Sequence, residues 1–81
     1  MEIKKGSVVI AKAGRDKGSP FLVTDVIDRR TVEIADGKRR PLERPKRKNV
    51  IHLQATASSF DCNTTNRQLR LFLKSFIQEV Q

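Results

Sequence analysis

The chain has 81 residues, 17 Lys and Arg against 9 Asp and Glu, and a formal net charge of +8 at pH 7. A chain this short buries only about 60 to 65% of the surface its unfolded form exposes, which allows one small core and excludes a large enclosed active site. The charge calls for an anionic partner, and acidic lipid is the weakest candidate because the densest basic run has a single apolar residue, Leu42, and cannot make an amphipathic interfacial helix.

In chain order, Ser7 to Lys12 is rich in Val and Ile and reads as a strand with Val8 and Ile10 on one face. It ends at Gly14-Arg15-Asp16-Lys17-Gly18-Ser19-Pro20, where two glycines suit a tight loop of positive φ that leaves Arg15 and Lys17 in solvent. Phe21 to Ile27 follows as a strand. Phe21 and Val23 share a parity that Val26 does not, so a bulge or bend is expected near Asp25. Asp28-Arg29-Arg30 makes a turn, Thr31 to Ala35 a strand with Val32 and Ile34 inward, and Asp36-Gly37 a hairpin signal. A short strand is expected through Arg39 and Leu42, with Pro41 at an edge or bulge, and Val50 to Leu53 closes the set.

Short strands separated by turns, with no helix between them, predict a mainly β fold: a small SH3-like antiparallel barrel of about five strands. From Gln54 to Asn63 the residues become Ala, Thr, Ser and Asn, with Phe60 the one large apolar side chain, and this reads as a polar connector. Thr65 and Gln68 have the spacing of a capping box, and Leu69, Phe72, Leu73, Phe76, Ile77 and Val80 follow at helical spacing. The expected organisation is a barrel over residues 1–56, a connector over 57–64 and an amphipathic C-terminal helix over 65–81, one domain overall. Such a helix is marginal alone in water, so its apolar stripe is expected on its own barrel or, failing that, on a partner.

The run Lys38 to Lys48 concentrates seven basic residues around one acid, Glu43, and its two prolines prevent a long helix. Cations held so close repel one another unless a polyanion supplies the counter-charge. Lys38, Arg39, Arg40, Arg44, Lys46, Arg47 and Lys48 are therefore candidate nucleic-acid-binding residues, for RNA or DNA, the arginines as forked donors to phosphate and the lysines as point charges. Arg15 and Lys17 form a second basic site shaped by Gly14 and Gly18, and Arg29 and Arg30 a third. With no Tyr or Trp and only four Phe, base stacking is poorly supplied, which favours backbone and shape contacts with structured RNA.

Catalysis is not expected. His52 has no companion His and no thiol pair, Asp25 and Asp28 merely flank a turn, and no nucleophile-and-base pair is present, so neither metal nor cofactor is implied. Cys62 is the single cysteine and can form no internal disulfide. No apolar stretch approaches a membrane span, and Met1 to Lys5 is not followed by a signal-peptide apolar region, so a cytoplasmic location without membrane association is expected.

Lys5-Gly6-Ser7-Val8-Val9-Ile10, then Gly14-Arg15-Asp16-Lys17-Gly18, then Val23-Thr24-Asp25-Val26, resembles a KOW motif, the strand-loop-strand unit of ribosomal proteins and transcription elongation factors. Ala13 to Gly18, Asp25 to Asp28, Asp36-Gly37 and Arg47 to Leu53 together resemble the archaeal and eukaryotic large-subunit ribosomal protein family fourteen-e and its short bacterial relatives. The likeness covers residues 5 to about 56. Pro20 and Phe21 stand where many KOW motifs have a further glycine, and the helical tail has no counterpart. The resemblance implies an SH3-like barrel that binds ribosomal RNA of the large subunit, with ribosomal proteins as neighbours and a monomer off the RNA. Two other readings are a KOW-type transcription or translation accessory factor, and a protein-interaction adaptor using the helix stripe.

Overall fold

The computed structural model describes the backbone of residues 2–80 and the side chains of residues 2–76. Five strands, β1 (Ser7–Ala11), β2 (Pro20–Val26), β3 (Thr31–Ala35), β4 (Lys46–Asn49) and β5 (Leu53–Ser59), form one antiparallel sheet in the order β4-β3-β2-β1-β5. A 3-10 turn, Val50–His52, joins β4 to β5, and α1 (Asn66–Val80) ends the fold. The architecture is the SH3-like barrel with a C-terminal helix that the strand pattern predicts.

The sheet is apolar on both faces because it serves two cores. Val9 and Ala11 of β1 face inward with Phe21, Val23, Val32, Ile34 and Leu53, and Ile3 and Val50 close over them. Val8, Leu22 and Ala35 face outward and meet Leu69, Leu73 and Phe76 of α1. Strands buried on both sides read as continuous Val and Ile rather than as a clean alternation, which is the texture of Ser7 to Ala11. Burying each of the three helix side chains is worth about 1.5–3 kcal/mol, so α1 docks on its own sheet. Ile77 and Val80, also in the expected stripe, lie outside the described side chains.

The bend expected near Asp25 is present: Val23 pairs with Ile34 and Asp25 with Glu33, so the register shifts between them. Beyond it burial ends, and Val26 is exposed. At the start of α1 the Thr65 hydroxyl accepts the Gln68 N–H at 3.1 Å, but the return half of the expected box does not form. The Gln68 side chain instead accepts the Thr64 hydroxyl at 2.9 Å.

Three expectations are corrected. Residues 36–45 form a loop and not a strand through Arg39 and Leu42. The Asp36 carboxylate accepts the N–H groups of Lys38 and Arg40, each at 2.9 Å, while the Arg40 carbonyl accepts Asp36 N–H at 3.0 Å and Gly37 N–H at 3.1 Å. This local closure satisfies the backbone and removes the reason to join a ladder. The fourth strand is instead the charged Lys46–Asn49. Val50–His52 is a 3-10 turn capped by the Asn49 side chain, which accepts Ile51 N–H at 3.1 Å, and not a closing strand. The closing strand is β5, so the expected barrel boundary at residue 56 and the connector over 57–64 cut through it. Its polar residues belong there because the Thr56 hydroxyl donates to the Val8 carbonyl at 2.6 Å and the strand is only half-buried.

β4 is an edge strand, and its lysines face the barrel. Lys46 pairs with Ile34 and Lys48 with Val32, both core residues, so directly opposed side chains share that face. The lysine stems cover the apolar rim while their ammonium groups reach water. Inward-pointing charge is also one way a sheet edge is kept from pairing with another chain.

Candidate nucleic-acid interface

The β1–β2 loop takes its shape from two glycines. Gly14 and Gly18 have φ of 82° and 88°, in the region that favours glycine. Lys17 N–H donates to the Gly14 carbonyl at 3.2 Å and Ser19 N–H to the Asp16 carbonyl at 2.8 Å. Gly18 N–H returns to the Ala11 carbonyl at 2.8 Å, closing the loop on the strand that opened it. Arg15 and Lys17 are left exposed at its tip.

Register brings this loop beside the loop of residues 36–45. β2 opens at Pro20 and Leu22 pairs with Ala35, so the entry to β2 lies against the exit from β3. Between the two loops runs an open cleft of ≈ 460 Å³. It is lined by Gly14, Arg15 and Asp16 of the first loop, Arg39 and Arg40 of the second, and Lys46 and Lys48 of β4. A Cβ on Gly14 would stand 3.9 Å from the Lys48 ammonium, an ordinary contact, so its φ of 82° and not the space calls for glycine there. The one acid in the lining, Asp16, meets Arg39 at 3.6 Å. That guanidinium is 75% exposed, so the pair is worth at most about 1 kcal/mol and leaves Arg39 able to take another anion.

The second loop is latched to the helix start. Gly37 is buried with φ of 77°, and a Cβ on it would run into the Asn66 carbonyl oxygen and lie 3.2 Å from the Asn66 Cα. The Asn66 side chain accepts Leu42 N–H at 2.7 Å and donates to the Glu43 carboxylate at 2.7 Å. Glu43, the lone acid of the basic run, is thereby directed to the helix. The cations Lys38, Arg39 and Arg40 thus sit on a loop fixed at both ends.

A second cleft of ≈ 710 Å³ adjoins the first. Arg15, Asp16 and Arg39 line both, and the new wall is α1, which contributes Arg70, Leu71, Leu73 and Lys74, with Lys38 and Asp36 opposite. Sequence reasoning took the helix for its apolar stripe and missed Arg70 and Lys74. The available signal was their four-residue spacing, which puts both on one flank of the stripe that buries Leu69 and Leu73.

The remaining candidates lie elsewhere. Arg29 and Arg30 stand exposed on the β2–β3 turn, at the far end of β2 and about 20 Å along the strand from Pro20. Asp28 builds that turn, accepting the N–H groups of Arg30 and Thr31, each at 2.8 Å. The Arg30 bond, with help from Thr31, holds its carboxyl below the ordinary value. Arg47 points to the other face of β4 and pairs with Glu33 at 3.8 Å. Lys17 and Arg44 are exposed and line neither cleft.

No stacking platform accompanies these charges among the described residues. Phe21 and Phe76 are buried, and Phe60 and Phe72 stack on each other at 4.2 Å, half-covered, against the outer core. Burial pushes the Cys62 thiol up and its Sγ donates to the Val23 carbonyl at 3.4 Å, so it behaves as packing. His52 is exposed, and among the described residues no group of three or more His, Cys, Asp or Glu could hold a metal ion. No family model matches the chain, and no curated protein matches its sequence.

Proposed function

We propose that this chain is a non-catalytic RNA-binding protein that holds structured RNA by its phosphate backbone, at the end of the barrel where the two basic loops meet. The observation that carries this reading is the first cleft: two loops more than twenty residues apart in sequence, with the edge strand β4, together supply five cations, Arg15, Arg39, Arg40, Lys46 and Lys48, against Asp16. The work is mechanical. Arginine forks and lysine point charges neutralise phosphates on neighbouring strands and release condensed counterions. With no exposed aromatic platform among the described residues, discrimination rests on the spacing of phosphates in a folded RNA.

The KOW resemblance of residues 5–56 favours ribosomal RNA of the large subunit, a ribosomal or ribosome-associated role in translation, and a cytoplasmic monomer off the RNA. Arg29 and Arg30, at the opposite end, belong to the footprint only of an RNA long enough to run the length of β2. The adaptor reading is less favoured, because Leu69, Leu73 and Phe76 are already buried on the chain's own sheet.

The test is affinity for a structured ribosomal RNA fragment as a function of salt. If about four to six phosphates are engaged, log affinity against log salt has a slope on the order of −3 to −5. Tight binding with a slope near zero would falsify the electrostatic account. Failure to bind any structured RNA at low salt overturns the function itself.

A further inference from the structure

We infer that α1 is a working wall of the same RNA interface: Arg70 and Lys74 extend the phosphate track of the first cleft across Arg15 and Arg39 and onto the helix. The inference rests on the RNA-binding reading above and deepens it, because neither the loops nor the KOW resemblance, which stops near residue 56, assigns the helix any contact with RNA.

The two clefts are one surface with a shared centre. Arg15, Asp16 and Arg39 line both. On the helix side the cations are Arg15, Lys38, Arg39, Arg70 and Lys74, facing two acids. The two acids offset only part of that charge, five cations standing against two carboxylates. The Asp36 carboxylate is engaged by the N–H groups of Lys38 and Arg40, and Asp16 is already opposite Arg39. Like charges gathered in one cleft repel one another wherever they stand within a Debye length of about 8–10 Å. A polyanionic ligand lying over the shared residues would supply counter-charge to both clefts.

A single small anion cannot serve both clefts, whereas a phosphodiester chain crossing the Asp16–Arg39 pair can. Arg70 and Lys74 are exposed and bind nothing in the protein core, yet Leu69 and Leu73 between and beside them are buried, at 0% and 4% exposure. The docking of α1 therefore fixes where their stems leave the helix, on the side of the cleft, while the long side chains still lose rotamer freedom when they bind phosphate. The latch of Asn66 to Leu42 and Glu43 sets this helix against the loop that carries Arg39. The helix thus supplies charge in register with the loops as well as covering the outer core.

The experiment compares four proteins on one structured ribosomal RNA fragment, each checked for an unchanged melting temperature: wild type, Arg70→Ala/Lys74→Ala, Arg40→Ala/Lys48→Ala, and Lys4→Ala/Lys5→Ala. The last pair is exposed and precedes β1, at the end away from the β1–β2 loop, so it removes the same charge off the track. The inference requires the helix pair to weaken binding on the order of 10-fold near 0.1 M salt and to flatten the salt slope by roughly one to two units. The Lys4/Lys5 control is expected to change affinity less than about 3-fold. If the helix pair behaves like that control while Arg40→Ala/Lys48→Ala loses affinity, the helix wall is refuted and the loop interface stands. If all three variants lose equally, the chain is a non-specific polycation and the track is refuted. If wild type itself does not bind, the underlying function fails and the inference with it.

Discussion

Gly37→Ala and Gly18→Ala make a matched pair, because both glycines have positive φ, at 77° and 88°, and neither change alters charge. An L-residue in that region costs about 1–2 kcal/mol, offset in part by about 0.4–1 kcal/mol because alanine restricts the unfolded chain. At Gly18 nothing lies within 4 Å of the new Cβ, so the net loss should be about 0–1.6 kcal/mol. At Gly37 the new methyl meets the Asn66 backbone, which no rotamer change can move aside. Forcing an extra carbon into packed structure adds about 1–3 kcal/mol. The total, about 1–4.6 kcal/mol, is a large share of the roughly 4–12 kcal/mol expected for a domain of this size. Urea titration and thermal melting of both variants read the difference, with each kcal/mol moving Tm by about 4–8 °C. Because the clash falls between the basic loop and α1, folded Gly37→Ala should also bind structured RNA more weakly than Gly18→Ala does. Equal stability losses at the two glycines would refute the latch as the element that fixes Lys38 to Arg40.

Leu69 is fully buried between α1 and the sheet, so Leu69→Ala should cost about 2–4 kcal/mol in urea unfolding; a change below about 1 kcal/mol would mean that the helix is not docked in solution. Asp28 titrates below its ordinary value of 3.8 in the folded state, so its contribution to stability is present above that pH and is lost as pH falls through the lower folded value. Melting of wild type and Asp28→Asn across the acid range should therefore show the two curves converging toward low pH, and parallel curves would refute the turn assignment.

The legible parts of the fold were those in which side-chain burial repeats at a simple period. β1, β3 and the bulged β2 carry Val, Ile and Phe on buried faces, and α1 shows a cap residue followed by an apolar stripe. β4 was not legible, because Lys-Arg-Lys-Asn has no apolar residue to alternate and lysine stems perform the covering that Val or Ile would perform elsewhere. Val50 to Leu53 misled in the opposite sense: Ile51 looks like a strand core residue but is 66% exposed on the 3-10 turn. The two basic loops could be picked out by composition, and the positive φ at Gly14 and Gly18 by spacing. What composition could not supply was their meeting. Arg47 looked equivalent to its neighbours, and only strand parity turns it away toward Glu33. Arg70 and Lys74 join the cleft through the docking angle of a helix whose partner surface comes from β1, β2 and β3.

The inward lysines of β4 tie solubility to the same variable that governs binding. Lys46 and Lys48 line the cleft and also guard an open strand edge, so they discourage two copies from pairing along β4 most strongly while their charges are felt at a distance. At about 1 M salt the Debye length shrinks to roughly 3 Å, and that repulsion is largely screened, which leaves the cost of burying the lysines as the remaining guard. A high-salt wash that strips the chain from a polyanion therefore leaves it with a less guarded edge, and the pure protein should be handled at intermediate ionic strength, where the lysines still repel a second copy.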